Sequence, residues 1–308
     1  MTPWRQTWLL TGLAAAIFLV VRSLPTGTNL SHMDFRPEGK SLLEWCDPAN
    51  PQFISVLQVR SPVTLAVLLS DAQPLQAGNV STLRLELKTS SGKPITPGDL
   101  AVVHTRKLHL LVIDPSLSDY QHLHPHAGAR PGTWEVSFTP RGGGLYRVFA
   151  DFTPVATGRS LYAAADLPVT GTPLPAAPDA ARQRREGEAI FTLHAPESMR
   201  VGRPVDLRLE VRDAHGARPD LTPVMGAPAH LVAFDEQRTG FAHLHPRDPT
   251  PAPETPNAAG TSVVLNFALT VPRAGRYLIW AQCAPHGIET LVPFWIEVGG
   301  RGGDGAPQ

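Results

Sequence analysis

Cysteine is nearly absent. Cys46 and Cys283 are the only two in 308 residues, which excludes a disulfide-dense scaffold and any four-cysteine zinc site. Charge is scarce as well: Asp, Glu, Lys and Arg make up 18% of the chain, below the ~25% typical of soluble domains. Neither sign is in excess, with 27 Lys+Arg against 27 Asp+Glu, so the chain has no basic footprint for nucleic acid and no polybasic clamp for a membrane surface. Also missing are a G-x-S-x-G elbow, an H-E-x-x-H helix, a P-loop and a dinucleotide fingerprint. The expectation is a protein that is not an enzyme. Long apolar runs are rare too, and one stands out: Trp8 to Val21, 14 residues between Arg5 and Arg22. That is shorter than the ~20 residues of a spanning helix and fits a signal-peptide core, although no small-x-small cleavage pattern follows. Trp4 and Trp8 suit a membrane interface. Residues 1–24 are therefore expected to be an export signal or uncleaved anchor, placing the rest on the periplasmic or extracellular side.

Proline and glycine are abundant (32 and 26 residues), and hydrophobic residues reach 42%. This favours packed cores built from short strands and turns over long helices. An internal repeat organises them. Residues 99–125 align without gaps to 220–246, with ten of 27 positions identical, among them His109/His230, Asp114/Asp235, His122/His243, His124/His245 and Pro125/Pro246. Leu83–Leu87 (LRLEL) matches Leu207–Val211 (LRLEV), and a Gly precedes the strand that carries Tyr146 or Tyr277. Each copy reads as about seven short strands, the pattern of an immunoglobulin-like β-sandwich. The expected fold class is all-β: two tandem immunoglobulin-like sandwiches at 62–170 and 189–298. A connecting segment (25–61) precedes them, a Pro/Ala-rich linker (171–188) joins them, and a Gly-rich tail (299–308) expected to be disordered follows.

In both copies a His is followed 13 residues later by His-Leu-His-Pro. On a strand the side chains at i and i+2 share a face, so His122 and His124 pair, as do His243 and His245. His109 and His230 open the preceding strand. If a turn brings that strand alongside, three imidazoles converge, the ligand set of a zinc or copper ion. Three nitrogens on one ion must lie within roughly 3–5 Å of one another in the metal-free protein. The third His is the demanding one, because a one-residue slip in strand register sends it to the other face. His104 and Met225 occupy equivalent places and are weaker candidates, thioether favouring Cu(I). Asp114 and Asp235 are candidates for orienting a ring N–H. Cys283 and His286, at a strand end downstream of His243 and His245, are similar to a blue-copper loop without its Met. Cys283 is alternatively a buried thiol, or one half of a disulfide with Cys46 that export would permit. The competing reading is a tandem immunoglobulin-like interaction module whose His clusters are structural and hold no metal.

These motifs, H-L-hydrophobic-x-x-D followed by an aromatic-x-H-x-H-P and a later G-x-Y, resemble a group of exported bacterial β-sandwich proteins similar to the YtkA-like and copper-resistance CopC-type proteins. The residues that carry the resemblance are His109, Asp114, His122, His124 and Pro125 with His230, Asp235, His243, His245 and Pro246. It implies an extracytoplasmic sandwich that handles copper or another metal ion; the expected partners are the ion and, through the N-terminal segment, the membrane.

Overall fold

A computed structural model describes residues 2–23, 30–35, 52–68, 75–178, 181–247 and 261–300. The Gly-rich tail from 301, Cys46 and most of the connecting segment lie outside them. The first element is a helix, α1 (Pro3–Ser23). It is exposed along its described length, and Pro3–Val21 is long and apolar enough to cross a membrane. Strands follow throughout: β1 (Val63–Leu68), β2 (Leu75–Gln76), β3 (Ser81–Thr89), β4 (His109–Ile113), β5 (Tyr120–Leu123), β6 (His126–Ala127), β7 (Thr133–Phe138), β8 (Gly144–Phe152) and β9 (Leu161–Thr170) in the first unit. The second unit holds β10 (Gln183–Glu186), β11 (Ala189–His194), β12 (Val205–Asp213), β13 (Leu221–Thr222), β14 (Ala229–Asp235), β15 (Phe241–Leu244), β16 (Ser262–Leu269), β17 (Gly275–Pro285) and β18 (Thr290–Val298).

Each unit is a two-sheet sandwich. In the first, β1-β3-β7-β6 faces β2-β9-β8-β4-β5. In the second, β10-β11-β12-β16 faces a sheet in which β17 lies between β14 and β18, with β15 beyond β14 and β13 on the end of β17. Strand β10 pairs with β11, so the second sandwich begins inside the segment expected to be linker. Alternation builds each core: Leu83, Leu85 and Leu87 of β3 point inward against Leu110, Val112, Val148 and Ala150, while Arg84 faces solvent and pairs with Glu135. Tyr146 and Tyr277 donate their hydroxyls to the carbonyls of Gly142 and Arg273, four residues upstream. These are the tyrosine corners of immunoglobulin-type sandwiches, and they explain the repeated G-x-Y.

Strands β4 and β14 break the alternation. Every residue of HLLVI and of AHLVAFD is buried, because both faces of each strand are covered. One face packs in its own sandwich; the other packs on the other sandwich. Leu111, Ile113, Tyr120, Phe149 and Tyr162 of the first domain form a single apolar cluster with Val232, Phe234, Phe241, Leu278 and Trp280 of the second. The contact is quasi-symmetric. Phe149 meets Phe241 at 5.2 Å between ring centroids, and their repeat equivalents Trp280 and Tyr120 meet at 5.8 Å. The two domains thus associate as the halves of an isologous dimer do, within one chain.

Candidate metal centre

The His residues lie on these same outer sheet faces, at the end of β4 and β14 remote from the β4–β5 and β14–β15 turns. In β4 and β5, Leu110 is opposite Leu123 and Leu111 opposite His122; one step further along the register brings His109 opposite His124. In β14 and β15 the pairs are Leu231 with Leu244 and Val232 with His243, so His230 comes opposite His245 in the same way. The turns set this register. The carboxylate of Asp114 accepts from the N–H groups of Ser116 and Asp119, and Asp235 accepts from the N–H and hydroxyl of Thr239. The expectation that Asp114 and Asp235 orient a His ring is therefore corrected. They close the turns at the far end of each hairpin, with four strand residues between Asp114 and His109 and between Asp235 and His230.

Two groups can hold a metal ion: His109, His122 and His124, and His230, His243 and His245. In each, one nitrogen per ring lies within 4.8 Å of the others. Ring spacing agrees. Three imidazoles sharing a tetrahedral ion at about 2.0–2.1 Å have centroids about 5 Å apart. The first triad has 5.4, 5.2 and 4.9 Å, the second 5.4, 4.8 and 4.7 Å.

Hydrogen bonds outside the triads fix which nitrogen carries each proton. His109 Nε2 lies 3.0 Å from the Val103 carbonyl, and His230 Nε2 lies 2.8 Å from the Val224 carbonyl. A carbonyl only accepts, so Nε2–H donates and Nδ1 of both rings is a bare lone pair. His122 Nδ1 donates to Gln282 Oε1 at 3.0 Å, the amide being oriented by its Nε2–H bond to Glu289. His243 Nδ1 donates to Asp151 Oδ2 at 3.2 Å. The inner atoms are then two lone pairs facing each other: His109 Nδ1 and His122 Nε2 at 3.2 Å, His230 Nδ1 and His243 Nε2 at 3.3 Å. Nε2 of His124 and of His245 is buried without a partner. An orphaned buried polar atom costs about 1–3 kcal/mol. A cation between the rings relieves this arrangement, and burial opposes the proton that would otherwise do so. His124 and His230 are pushed down to about 4 by burial first and neighbouring imidazoles or cations second. His122, His243 and His245 are also held well below the ordinary imidazole value, by burial first and neighbouring imidazoles second.

The weaker candidates separate. His104 reaches across the interface and stacks on His245, 3.7 Å between centroids at 18°, yet stands 6.1 and 6.4 Å from His230 and His243. It caps the second triad and is too distant from two of its rings to share their ion. His104 and Thr105 form the tight turn before β4 with φ of 47° and 66°, a strained conformation for a β-branched residue. Met225 and Gly226 make the equivalent turn, with φ of 51° and 80°, and Gly226 removes half of that strain. Cys283 is a free, fully buried thiol inside the second core, pushed up to about 12 by burial. Alternation along β17 turns Gln282 toward the His residues and Cys283 away, so the blue-copper reading fails; Cys46, the candidate disulfide partner, lies outside the described residues. His286 bonds Asp213 at the periphery and takes no part.

Asp151 and Gln282 escape a sequence reading focused on His. Their signal is visible in retrospect: each is the one strongly polar side chain near the end of an apolar strand, YRVFADF or YLIWAQC, at equivalent repeat positions. Each is also the register neighbour of its own domain's first His, Asp151 of His109 and Gln282 of His230.

A family model, the domain of unknown function DUF8832, matches twice, at residues 63–171 and 184–300. No curated protein matches. Among solved structures, the D1–D4 ectodomain fragment of ICAM-5 is 15% identical at a TM-score of 0.24, covering 77% of this chain and 53% of that one. The fibronectin(III)-like modules of Clostridium thermocellum CbhA are 11% identical at 0.23, covering 79% and 98%. A DUF4785 protein of Legionella pneumophila is 8% identical at 0.24, covering 76% and 55%. The chain thus spans about half the length of the ICAM-5 and Legionella structures.

Proposed function

The chain belongs to the DUF8832 family, and we propose that it is an extracytoplasmic metal-binding protein that buffers or delivers an ion, copper in preference to zinc, without turnover. The observation that carries this reading is the facing pair of lone pairs in each triad beside a buried, unpartnered His nitrogen. A structural polar cluster would distribute its protons so that each ring donates to the next. Here every resolved outer N–H is spent on a carbonyl, an amide oxygen or a carboxylate, as in metal-ligating His residues whose second nitrogen is held from outside. All-imidazole ligation suits copper and zinc, and the resemblance to copper-handling sandwiches favours copper. The N-terminal helix is read as the signal or anchor that places the sandwiches outside the cytoplasm.

Equilibrium titration of the full chain in detergent with Cu(II), Cu(I) and Zn(II), followed by metal analysis after desalting, tests this. Retained copper with nitrogen ligation in the EPR spectrum of the Cu(II) form is expected. Absence of any retained ion would leave the tandem interaction module as the better reading.

A further inference from the structure

The two triads are not separate sites that happen to share a chain. His122 and His243 come within 5.1 Å of each other between centroids, as close as the rings within either triad, and His109 and His243 within 5.7 Å. Each triad's middle His is held by the other domain: His122 by Gln282, His243 by Asp151. The two halves differ in charge. The second triad has a carboxylate directly on a ligand N–H. In the first triad the corresponding carboxylate, Glu289, is one group further back, behind Gln282. A carboxylate on the outer N–H makes an imidazole a better donor and offsets the ion's charge, and loss of such a partner weakens metal affinity by about 10–100-fold. Two cations this close also repel, more strongly in a buried site than in water, so the second to bind meets a penalty that the first does not. His104, stacked over His245, adds a further cover that the first triad lacks a His to match.

Building on the metal-binding reading, we propose that the six His residues form one two-ion centre across the domain interface, filled in order. The triad His230–His243–His245 takes the first ion, and His109–His122–His124 takes the second with weaker affinity.

Titration with Zn(II) alone, against a chromophoric chelator at constant pH, tests the order in the full chain. Wild type is expected to bind two ions in two resolved steps. His243→Ala should abolish the tighter step and His122→Ala the weaker. Asp151→Asn keeps the shape of the side chain and should weaken the tighter step about 10–100-fold while leaving two ions per chain. Gln282→Glu should tighten the weaker step and narrow the gap. A stoichiometry of one, two steps of equal affinity, or an Asp151→Asn effect confined to the weaker step would overturn the proposal. Should His243→Ala fail to fold, the Asp151→Asn and Gln282→Glu pair still decides it. Absence of zinc from every protein, wild type included, with no copper retained in the titration of the full chain either, would instead sink the metal-binding reading on which the proposal rests.

Discussion

The two copies of the domain place three imidazoles alike and surround them differently. Both use the same hairpin register, the same carbonyl behind the first His and the same buried, partnerless nitrogen on the last. Around that common frame the first domain receives an amide from its neighbour and the second a carboxylate. The first contributes a strained His104–Thr105 turn, the second a less strained Met225–Gly226 turn. The ligand geometry is thus a property of one repeat, whereas the electrostatics of each triad are a property of the other repeat. A site built this way depends on the domain contact as much as on its own strands.

The largest expected effect comes from breaking that contact. Phe234 is fully buried in the cluster shared by both domains, against Phe149 and Tyr120. Phe234→Ala should cost about 3–5 kcal/mol, read as a lower denaturation midpoint, and should weaken both triads together. Loss confined to one triad would show that the sandwiches act independently. Acid is next. The triad His residues sit below their ordinary value of 6.5 in the folded state, at about 4 for His124 and His230. The unfolded chain therefore takes up protons first as pH falls. Stability of the metal-free protein is fully present above pH 6.5 and should decline between about 6.5 and 4, each such His adding a slope of up to ~1.4 kcal/mol per pH unit. Asp151, raised to about 6 by burial, acts in the opposite direction, but it is one group against several. Chemical denaturation across that window checks the sign, and bound metal should flatten the curve.

Removing the last His of one triad sharpens the comparison without disturbing the fold. His245→Ala should eliminate one ion per chain while the metal-free protein keeps its midpoint or gains slightly, since it loses an unsatisfied buried nitrogen. His124→Ala should do the same for the other ion. Metal analysis and a thermal melt together are sufficient. The smallest effect concerns the turns. Thr105→Gly copies the second domain into the first and relieves a backbone at φ 66°, stabilising by about 1 kcal/mol. Gly226→Thr copies the strain the other way, at φ 80°, and should destabilise by a similar amount.

The duplication, the sandwich class and the shared face of each His-x-His pair are local matters, legible from residue identity and a period of two. So is the anchor-like helix, although the folded segment runs from Pro3 to Ser23 and exceeds the 14-residue apolar run, because helical backbone extends through the flanking polar residues. Even the double burial of β4 and β14 has a sequence trace, since HLLVI and AHLVAF are continuous apolar runs of the kind found in strands covered on both faces. What covers the second face has no such trace. The register that brings His109 and His230 to their partners depends on turn hydrogen bonds from Asp114 and Asp235. The pairing of His122 with Gln282 and of His243 with Asp151 joins residues 160 and 92 positions apart. No periodicity encodes contacts of that range, because they arise only when two finished sandwiches dock. The sequence by itself determined which imidazoles could meet; the docking of the domains decided which nitrogens are left free, and with what charge behind them.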